Sequence, residues 1–199
     1  MALDEATLGQ LRETVRRFVS ERLIPLEAQV AEDDVVPESV VEEMRALGLF
    51  GLSIPEKYGG LGLSMFEEVQ IAFEFGRTSP AFRSVIGTNN GIGSHGIIID
   101  GTEAQKNYYL PLLARGEIIS AFALTEPQSG SDAASISTTA RREGDEYVIN
   151  GQKTWTSLAL GCDYIWLAAR TDPDVPKHKG ISLFAIPIDT PGITIEPLS

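Results

Sequence analysis

The spacing of the apolar residues changes once along this chain, near Glu117, and that change constrains the fold more than any other feature. Before it, apolar side chains recur every three or four residues, as in amphipathic helices. After Ile118, short β-rich runs alternate with glycine- and proline-bearing turns. The sequence therefore predicts an α+β protein, with an all-α helical domain over residues 1–117 followed by a small antiparallel β-barrel or sandwich over 118–199.

Helix boundaries are visible within the first domain. The first predicted helix ends before Pro25, and the second begins at Pro37 and stops at Gly48. Proline suits the first turn of a helix, and glycine suits the position after its last turn. Capping boxes at Ser64 and Thr102 open two further helices, because a hydroxyl there can accept a bond from the backbone three residues on. The helix after Ser64 carries an apolar stripe at helical spacing, formed by Phe66, Val69 and Phe73.

The helix predicted between these two capping boxes is unusual because small residues interrupt it. It opens at Ser79-Pro80 and runs towards Ile99, with glycines from Gly87 to Gly96 inside it. Each interior glycine costs about 1 kcal/mol relative to alanine, so something is expected to pack close to the backbone. Tight contact between helices and a ligand lying along the helix explain this equally well.

Strands and turns divide the second domain. The predicted strands cover residues 121–124, 137–141, 147–149, 164–169, 181–187 and 193–196, with turns that include Gly144-Asp145. Asn150-Gly151 predicts a type I′ hairpin, because both central residues of that turn need positive φ. One strand ends at Thr125 in a polar turn, and Trp155 with two hydroxyl residues follows the hairpin. We expect these strand ends to lie on one face and to suit a planar cofactor with polar edges.

Charge and cysteine content exclude several classes of function. A net charge of −12 argues against nucleic acid, whose phosphates favour clustered lysine and arginine. The single cysteine, Cys162, excludes an internal disulfide and fits a reducing compartment. No apolar segment is long enough to span a bilayer, and the acidic start of the chain does not resemble a signal peptide. We therefore expect a cytoplasmic protein.

Four motifs, in order along the chain, carry a resemblance to a known family. They are residues 54–62 (IPEKYGGLG), 101–106 (GTEAQK), 124–132 (LTEPQSGSD) and 150–157 (NGQKTWTS). Each motif alone is unspecific, but the ordered set resembles the acyl-CoA dehydrogenases over essentially the whole chain. The resemblance implies an FAD-dependent oxidoreductase of fatty acid β-oxidation that introduces an α,β double bond into an acyl-CoA thioester.

The resemblance also implies partners and a missing part. In that family a glutamate removes the α-proton while the β-hydride passes to flavin N5. The electrons go to electron-transferring flavoprotein, and the enzyme is a homotetramer, a dimer of dimers. The glutamate lies in a C-terminal helical domain, beyond Ser199 here, so we expect a fragment or a chain completed by a second polypeptide. Such a chain would hold no catalytic residue and would be inactive alone.

The site residues follow from the same resemblance. The FAD contacts would be Phe122, Leu124, Thr125, Gly130, Ser131, Trp155, Thr156 and Ser157. Ser157 would lie near flavin N5, where many relatives have threonine. Substrate contacts would be Ser131 and, at the floor of the acyl pocket, Thr88, Asn89 and Gly91. Alternatively, Thr125 and Ser131 are only turn residues that bond their own backbone, and Trp155 is a core aromatic.

Other functions stay open at this point. An acyl-CoA oxidase or flavin-dependent monooxygenase would use the same fold and pass its electrons to oxygen. A non-catalytic module would bind flavin or acyl-CoA without turnover. Glu126 precedes a proline at a strand end and looks like a base, but the matching family glutamate is not one, so we interpret it as structural. His95 has no second metal ligand at helical spacing, so a packing role is predicted for it and no metal site.

Overall fold

The change of apolar spacing marks a change of architecture. In the computed structural model, which describes residues 3–197, helices fill one unit, Met1–Ile118, and strands fill a second, Ile119–Ser199. Helices followed by strands confirm the predicted α+β class. Residues 1, 2, 198 and 199, which the predicted domains include, lie outside the described part.

The first unit is built from helices around an apolar core. They are α1 (Glu5–Phe18), α2 (Glu27–Asp33), α3 (Glu38–Ala46), α4 (Met65–Phe75), α5 (Pro80–Asn90), α6 (His95–Asp100) and α7 (Glu103–Ala114). Val15, Met44, Phe50, Ile71 and Leu110 are among its fully buried or nearly fully buried side chains. Each such side chain stabilises the unit by about 1.5–3 kcal/mol through burial. In the described part of the chain, no helix has both the length and the apolar character that crossing a membrane requires.

The predicted helix caps are confirmed. The hydroxyl groups of Ser64 and Thr102 each accept from the backbone N–H three residues later. The side chains of Glu67 and Gln105 in turn accept from the backbone N–H groups of Ser64 and Thr102. Gly48, at φ 71°, follows the end of α3 in the left-handed conformation that glycine adopts easily. These caps are short-range hydrogen bonds, which is why the sequence predicts them well.

One predicted helix limit is confirmed and another is wrong. The first helix, α1, ends at Phe18, before Pro25 as predicted, and the chain then continues through a π turn, Val19–Leu23, and a 3₁₀ turn, Ile24–Leu26, into α2. The change of hydrogen-bonding pattern there accommodates a residue that lacks an N–H. The long glycine-bearing helix is in fact α5 and α6, separated at Gly91, whose φ of −112° and ψ of −102° are not helical.

The apolar stripe predicted on α4 does not face the core. Phe66 and Phe73 are exposed, as is Val69. A buried carboxylate, Glu74, instead faces α1, where Arg16 donates to it at 3.0 Å. The inward face of α4 therefore combines this paired acid with Ile71 and Phe75, which are buried, and the predicted stripe lies on the outward face.

One five-stranded sheet forms the second unit. Its strands are β1 (Ser120–Ala123), β2 (Thr139–Glu143), β3 (Glu146–Asn150), β4 (Tyr164–Arg170) and β5 (Ile181–Pro187). The order is β1-β4-β2-β3, and β5 pairs with β4 along its whole length. β1 and β2 run parallel to β4, whereas β5 is antiparallel to it. The sheet is therefore mixed rather than wholly antiparallel, and within the described residues it does not close into a barrel.

The predicted hairpin at Asn150-Gly151 is wrong. The turn lies at Gly144-Asp145, where Gly144 has φ 66° and β2 and β3 pair from Glu143 and Glu146 outwards. A Cβ at Gly151 would overlap Thr138, so the glycine is required by a close approach and not by a turn. The strand predicted at 193–196 is also absent, since those residues, all within the described part, have no ladder partner.

Candidate functional site at the end of β1

Two predicted site segments lie side by side in the second unit. The Thr154 N–H donates to the Thr125 carbonyl at 2.9 Å, and the Lys153 ammonium donates to the Leu124 carbonyl at 3.0 Å. In each of these contacts the two residues are 29 positions apart in the sequence. The end of β1 and the segment after β3 therefore meet, and we call the place where they meet the junction.

A buried carboxylate holds the junction together. Glu126 is 2% exposed, and its oxygens accept from the N–H groups of Ser137 at 2.6 Å and Thr138 at 2.8 Å. Lys153 Nζ donates to the same carboxylate at 2.9 Å, and the Glu126 backbone closes a turn with Ser129. One side chain thus connects β1, the loop before β2 and the segment after β3.

The environment of Glu126 decides its charge. Burial by itself raises the pKa of this carboxyl, but hydrogen bonds from Ser137, Thr138 and Lys153 outweigh burial and hold the pKa well below its ordinary value. A carboxylate with such a low pKa is a poor acceptor for a substrate proton. Glu126 is therefore structural, in agreement with its interpretation from the sequence.

Lys153 was missed by the sequence analysis. Its side chain is only 8% exposed, which is rare for lysine, and its ammonium binds the Leu124 carbonyl and Glu126. The residues next to Lys153 in the sequence do not indicate that it is buried, because its partner, the Glu126 carboxylate, lies 27 positions away. Only its place inside the 150–157 motif marked this residue.

Thr125 lies at the junction with unused donors. It is half-buried, and in the part of the chain that the structure describes neither its N–H nor its hydroxyl donates a hydrogen bond. Backbone N–H groups rarely stay unpaired in a folded protein unless water or a ligand takes them. Thr125 is thus able to bind a polar edge.

Trp155 stands on the other side of the junction in a strained conformation. Its φ is 57°, which is unusual for an aromatic residue, and 71% of its surface is exposed. The alternative of a core aromatic is therefore wrong for Trp155; that place is taken by Trp166 on β4, which is 2% exposed. After Trp155, Thr156 is half-buried and Ser157 is exposed.

The remaining predicted cofactor residues lie close by in the chain. Phe122 is half-buried on β1, opposite Trp166, and Leu124 is half-buried just after that strand. Gly130 and Ser131 are exposed, and a Cβ built at Gly130 would meet nothing within 4 Å. The surface at Gly130 is therefore not packed against any neighbouring side chain.

The predicted substrate residues of α5 are largely enclosed in the first unit. Thr88 and Asn89 are buried, and Gly91 is half-buried where α5 ends. The Asn89 amide donates to the carbonyls of Leu113 at 3.1 Å and Ile118 at 2.8 Å, so it holds the end of α7. The Thr88 hydroxyl is buried and has no hydrogen-bond partner among the described residues.

A small cavity lies between α4 and α5. Its volume is about 10 Å³, and it is lined partly by Glu68, Arg83, Gly87 and Asn90. That space admits one water molecule and no acyl chain. A Cβ at Gly87 would come within 2.6 Å of the Arg83 guanidinium, the mobile end of an exposed side chain, so this contact does not explain the glycine. Burial raises the pKa of Glu68, against the opposing charges of Arg83 and His95.

The described residues contain no cluster of three or more histidine, cysteine or acidic side chains that could hold a metal ion. His95, for which packing was predicted, is exposed at the first position of α6. The separation of α5 from α6 explains this error, because the predicted single helix would have continued its apolar face through His95.

Comparison with known proteins gives a consistent picture. Residues 5–117 match the acyl-CoA dehydrogenase N-terminal domain, and residues 121–199 match the acyl-CoA dehydrogenase middle domain. The chain is 39% identical over 202 residues to (2S)-methylsuccinyl-CoA dehydrogenase of Cereibacter sphaeroides, a match that covers 96% of this chain and 36% of that protein.

Solved structures are similar as well. A glutaryl-CoA dehydrogenase from Mycobacterium smegmatis in complex with FADH2 is 33% identical with a TM-score of 0.88, covering 99% of this chain and 49% of that one. The prolyl acyl carrier protein oxidase AnaB is 30% identical with a TM-score of 0.87, covering 100% and 53%. The chain therefore spans about half the length of these solved structures, and less of the Cereibacter protein.

Proposed function

This chain belongs to the acyl-CoA dehydrogenase family, and on that premise we propose that it serves the FAD-dependent α,β-dehydrogenation of an acyl-CoA thioester. The observation that carries the proposal is the junction. There the Thr125 carbonyl accepts from the Thr154 N–H, so the unpaired donors of Thr125 lie next to the segment that bears the exposed Trp155. FAD as the cofactor is supported by the related glutaryl-CoA dehydrogenase, whose structure contains FADH2.

The residues of the junction fit a flavin. Thr125, with Phe122 and Leu124 beside it, would meet the edge of the isoalloxazine ring through backbone amides and a hydroxyl. Trp155 would cover a flank of the ring, because its indole is exposed on a fixed backbone. The remaining proposed contacts are Gly130 and Ser131 towards the phosphates, and Thr156 and Ser157 along the same side of the flavin as Trp155, with Ser157 near N5.

The cofactor and the residues of the chain would have different roles in the reaction. FAD, when bound, would supply the hydride acceptor. The chain's own residues would orient it and donate hydrogen bonds to its edge. The proton would be taken by a glutamate that we do not place among the described residues, because Glu126 has too low a pKa for that role.

Substrate and partners are part of the same proposal. Ser131 would contact the pantetheine part of the substrate, and Thr88, Asn89 and Gly91 would lie at the floor of the acyl pocket. The buried, unpaired hydroxyl of Thr88 supports a polar role there. Electron-transferring flavoprotein as acceptor, a homo-oligomer built as a dimer of dimers, a cytoplasmic location and the domain limits at residues 117 and 118 stay predictions.

A second candidate is an oxidase of the same fold. It is favoured by one observation, the similarity to AnaB, a prolyl acyl carrier protein oxidase. In that case oxygen would take the electrons from the reduced flavin. A non-catalytic binding module is the remaining alternative.

Anaerobic titration of the full-length protein with acyl-CoA thioesters tests these alternatives. Bleaching of the flavin followed by slow reoxidation in air is the result expected for a dehydrogenase. Rapid peroxide release on admission of air would point to the oxidase. A flavin that stays oxidised with every thioester, including dicarboxylic ones, would leave only the binding module.

A further inference from the structure

We propose that Lys153 is a positioning residue for the cofactor: it fixes the peptide plane that presents the Thr125 N–H to the flavin edge. This inference rests on the function proposed above. It assigns a role to a residue that, by its burial, cannot contact a ligand itself, since its side chain is only 8% exposed.

Lys153 orients one peptide group, the one between Leu124 and Thr125. The Leu124 carbonyl accepts from Lys153 Nζ at 3.0 Å. In a planar trans peptide the carbonyl and the N–H of the next residue point in opposite directions, and no peptide bond among the described residues is cis. Lys153 therefore holds the Thr125 N–H pointing away from itself and from the buried carboxylate.

Among the described residues, no other hydrogen bond fixes this peptide plane. The next plane is bonded on both sides, because the Thr125 carbonyl accepts from Thr154 and the Glu126 N–H donates to the Ser129 carbonyl, each at 2.9 Å. The Leu124–Thr125 plane is bonded through its carbonyl only; within the described residues its N–H has no acceptor. The lysine is thus the contact that decides where that donor points.

The positioning group is a buried charge, and that charge is paired. An ammonium removed from water needs a counter-charge, and Glu126, whose side chain is 1% exposed, supplies it at 2.9 Å. The backbone amides of Ser137 and Thr138 in turn fix the carboxylate. The orientation of the Thr125 peptide is therefore tied, through Lys153 and Glu126, to β2 and its preceding loop.

The consequence for the cofactor is electronic as well as geometric. A hydrogen bond to the edge of a flavin changes the electron distribution of the ring, so it alters the absorption spectrum and the reduction potential. Loss of one neutral hydrogen bond of about 1 kcal/mol weakens binding roughly fivefold to tenfold. A residue that only stabilises the fold would not move the spectrum of the flavin that remains bound.

The test uses the full-length protein loaded with FAD and three variants. Lys153→Met removes the ammonium. The double variant Lys153→Met with Glu126→Gln removes both charges, so that no unpaired carboxylate is left buried. Lys179→Met is the control, since this exposed lysine lies in the same unit and its side chain makes no described contact. The measurements are FAD affinity, the visible spectrum of bound flavin and its reduction potential.

We expect both Lys153 variants to bind FAD about fivefold to tenfold more weakly, with a shifted spectrum and potential, while Lys179→Met matches the wild type. If the double variant keeps the wild-type affinity, spectrum and potential, Lys153 does not position the flavin. An equal shift in Lys179→Met also overturns the proposal, because it would reflect the loss of a positive charge anywhere in the unit. A wild-type protein that binds no FAD would overturn the proposed function itself, so the two failures are distinguishable.

Discussion

The two sides of the junction use their polar and aromatic groups in opposite ways. On one side Glu126 is 2% exposed and its carboxylate is occupied by backbone amides and by Lys153. On the other side Trp155 is 71% exposed, with a strained φ of 57°. The hydrogen-bonding groups of the first side stabilise the fold, whereas the exposed aromatic surface of the second side is available to a ligand.

This difference has a physical origin. A buried charge must be fully paired, since an unpaired one costs several kcal/mol, and a fully paired group has nothing left to offer a ligand. A strained, exposed aromatic residue lowers the stability of the folded protein, and its burial compensates little of that loss. Such residues therefore concentrate at sites where they contact a ligand. We therefore expect changes at Glu126 to affect stability, and changes at Trp155 to affect cofactor binding.

The largest expected effect is on stability, from Glu126→Gln. The change leaves the Lys153 ammonium buried without a counter-charge, so the free energy of unfolding should fall by about 3–5 kcal/mol. Denaturant titration followed by circular dichroism measures it. A loss below about 1 kcal/mol would mean that Lys153 finds water or another partner, and the contrast between the two sides of the junction would fail.

The same carboxylate predicts a pH dependence. Because the pKa of Glu126 is lower in the folded than in the unfolded protein, its contribution is complete above the unfolded value of about 4.3 and is lost as the pH falls towards the folded value. The difference in unfolding free energy between wild type and Glu126→Gln should thus shrink below a pH of about 4.3. A constant difference across the acid range would show that charge is not what Glu126 contributes.

Trp155→Ala should show the reverse pattern. Loss of an exposed ring should change the free energy of unfolding of the protein without FAD by less than about 1 kcal/mol. FAD retention should weaken by about 2–3 kcal/mol, because a large flat contact with the cofactor disappears. The two quantities are measured by denaturation of the apoprotein and by equilibrium dialysis of FAD. Destabilisation without loss of FAD would place Trp155 with the scaffold.

Thr125→Ala is expected to cost less than Trp155→Ala. It removes a hydroxyl and keeps the backbone N–H, so FAD binding should weaken by about 1 kcal/mol, the value of one neutral hydrogen bond. The same dialysis experiment compares the two variants directly. If Thr125→Ala loses more FAD than Trp155→Ala, the hydroxyl rather than the ring dominates the site.

The smallest effect on binding is expected from Ser157→Ala. Ser157 is exposed and is proposed to lie beside the reacting N5 edge, so FAD should be retained while flavin reduction slows. Stopped-flow reduction with a saturating acyl-CoA, compared with Thr125→Ala, separates the two roles. An unchanged reduction rate would remove Ser157 from the mechanism and leave it a turn residue.

Local signals predicted much of this molecule. The capping boxes at Ser64 and Thr102, the stop at Gly48 and strand β5 appear where the sequence indicates. Each depends on contacts or spacings within a few residues, or on a β-rich run bounded by turns. The family was likewise evident from short motifs, because their order along the chain is specific even where each motif is not.

Contacts between distant residues were decided by the tertiary structure alone. Gly151 resembles a turn glycine, but it is required by the approach of Thr138, and Phe73 resembles a core residue, but it is exposed because α4 turns Glu74 towards α1. In both cases a short-range pattern fits two structures equally well, and packing selects one of them.

The amino-acid sequence by itself determined the order of helices and strands, the helix caps and the family, because periodicity and capping act over a few residues. Only the tertiary structure decided that Lys153 is buried against Glu126 and that Trp155 faces outward with positive φ. The physical reason is separation along the chain. Lys153 and its carboxylate are 27 residues apart, and nothing local to either residue reveals that the fold removes both from water.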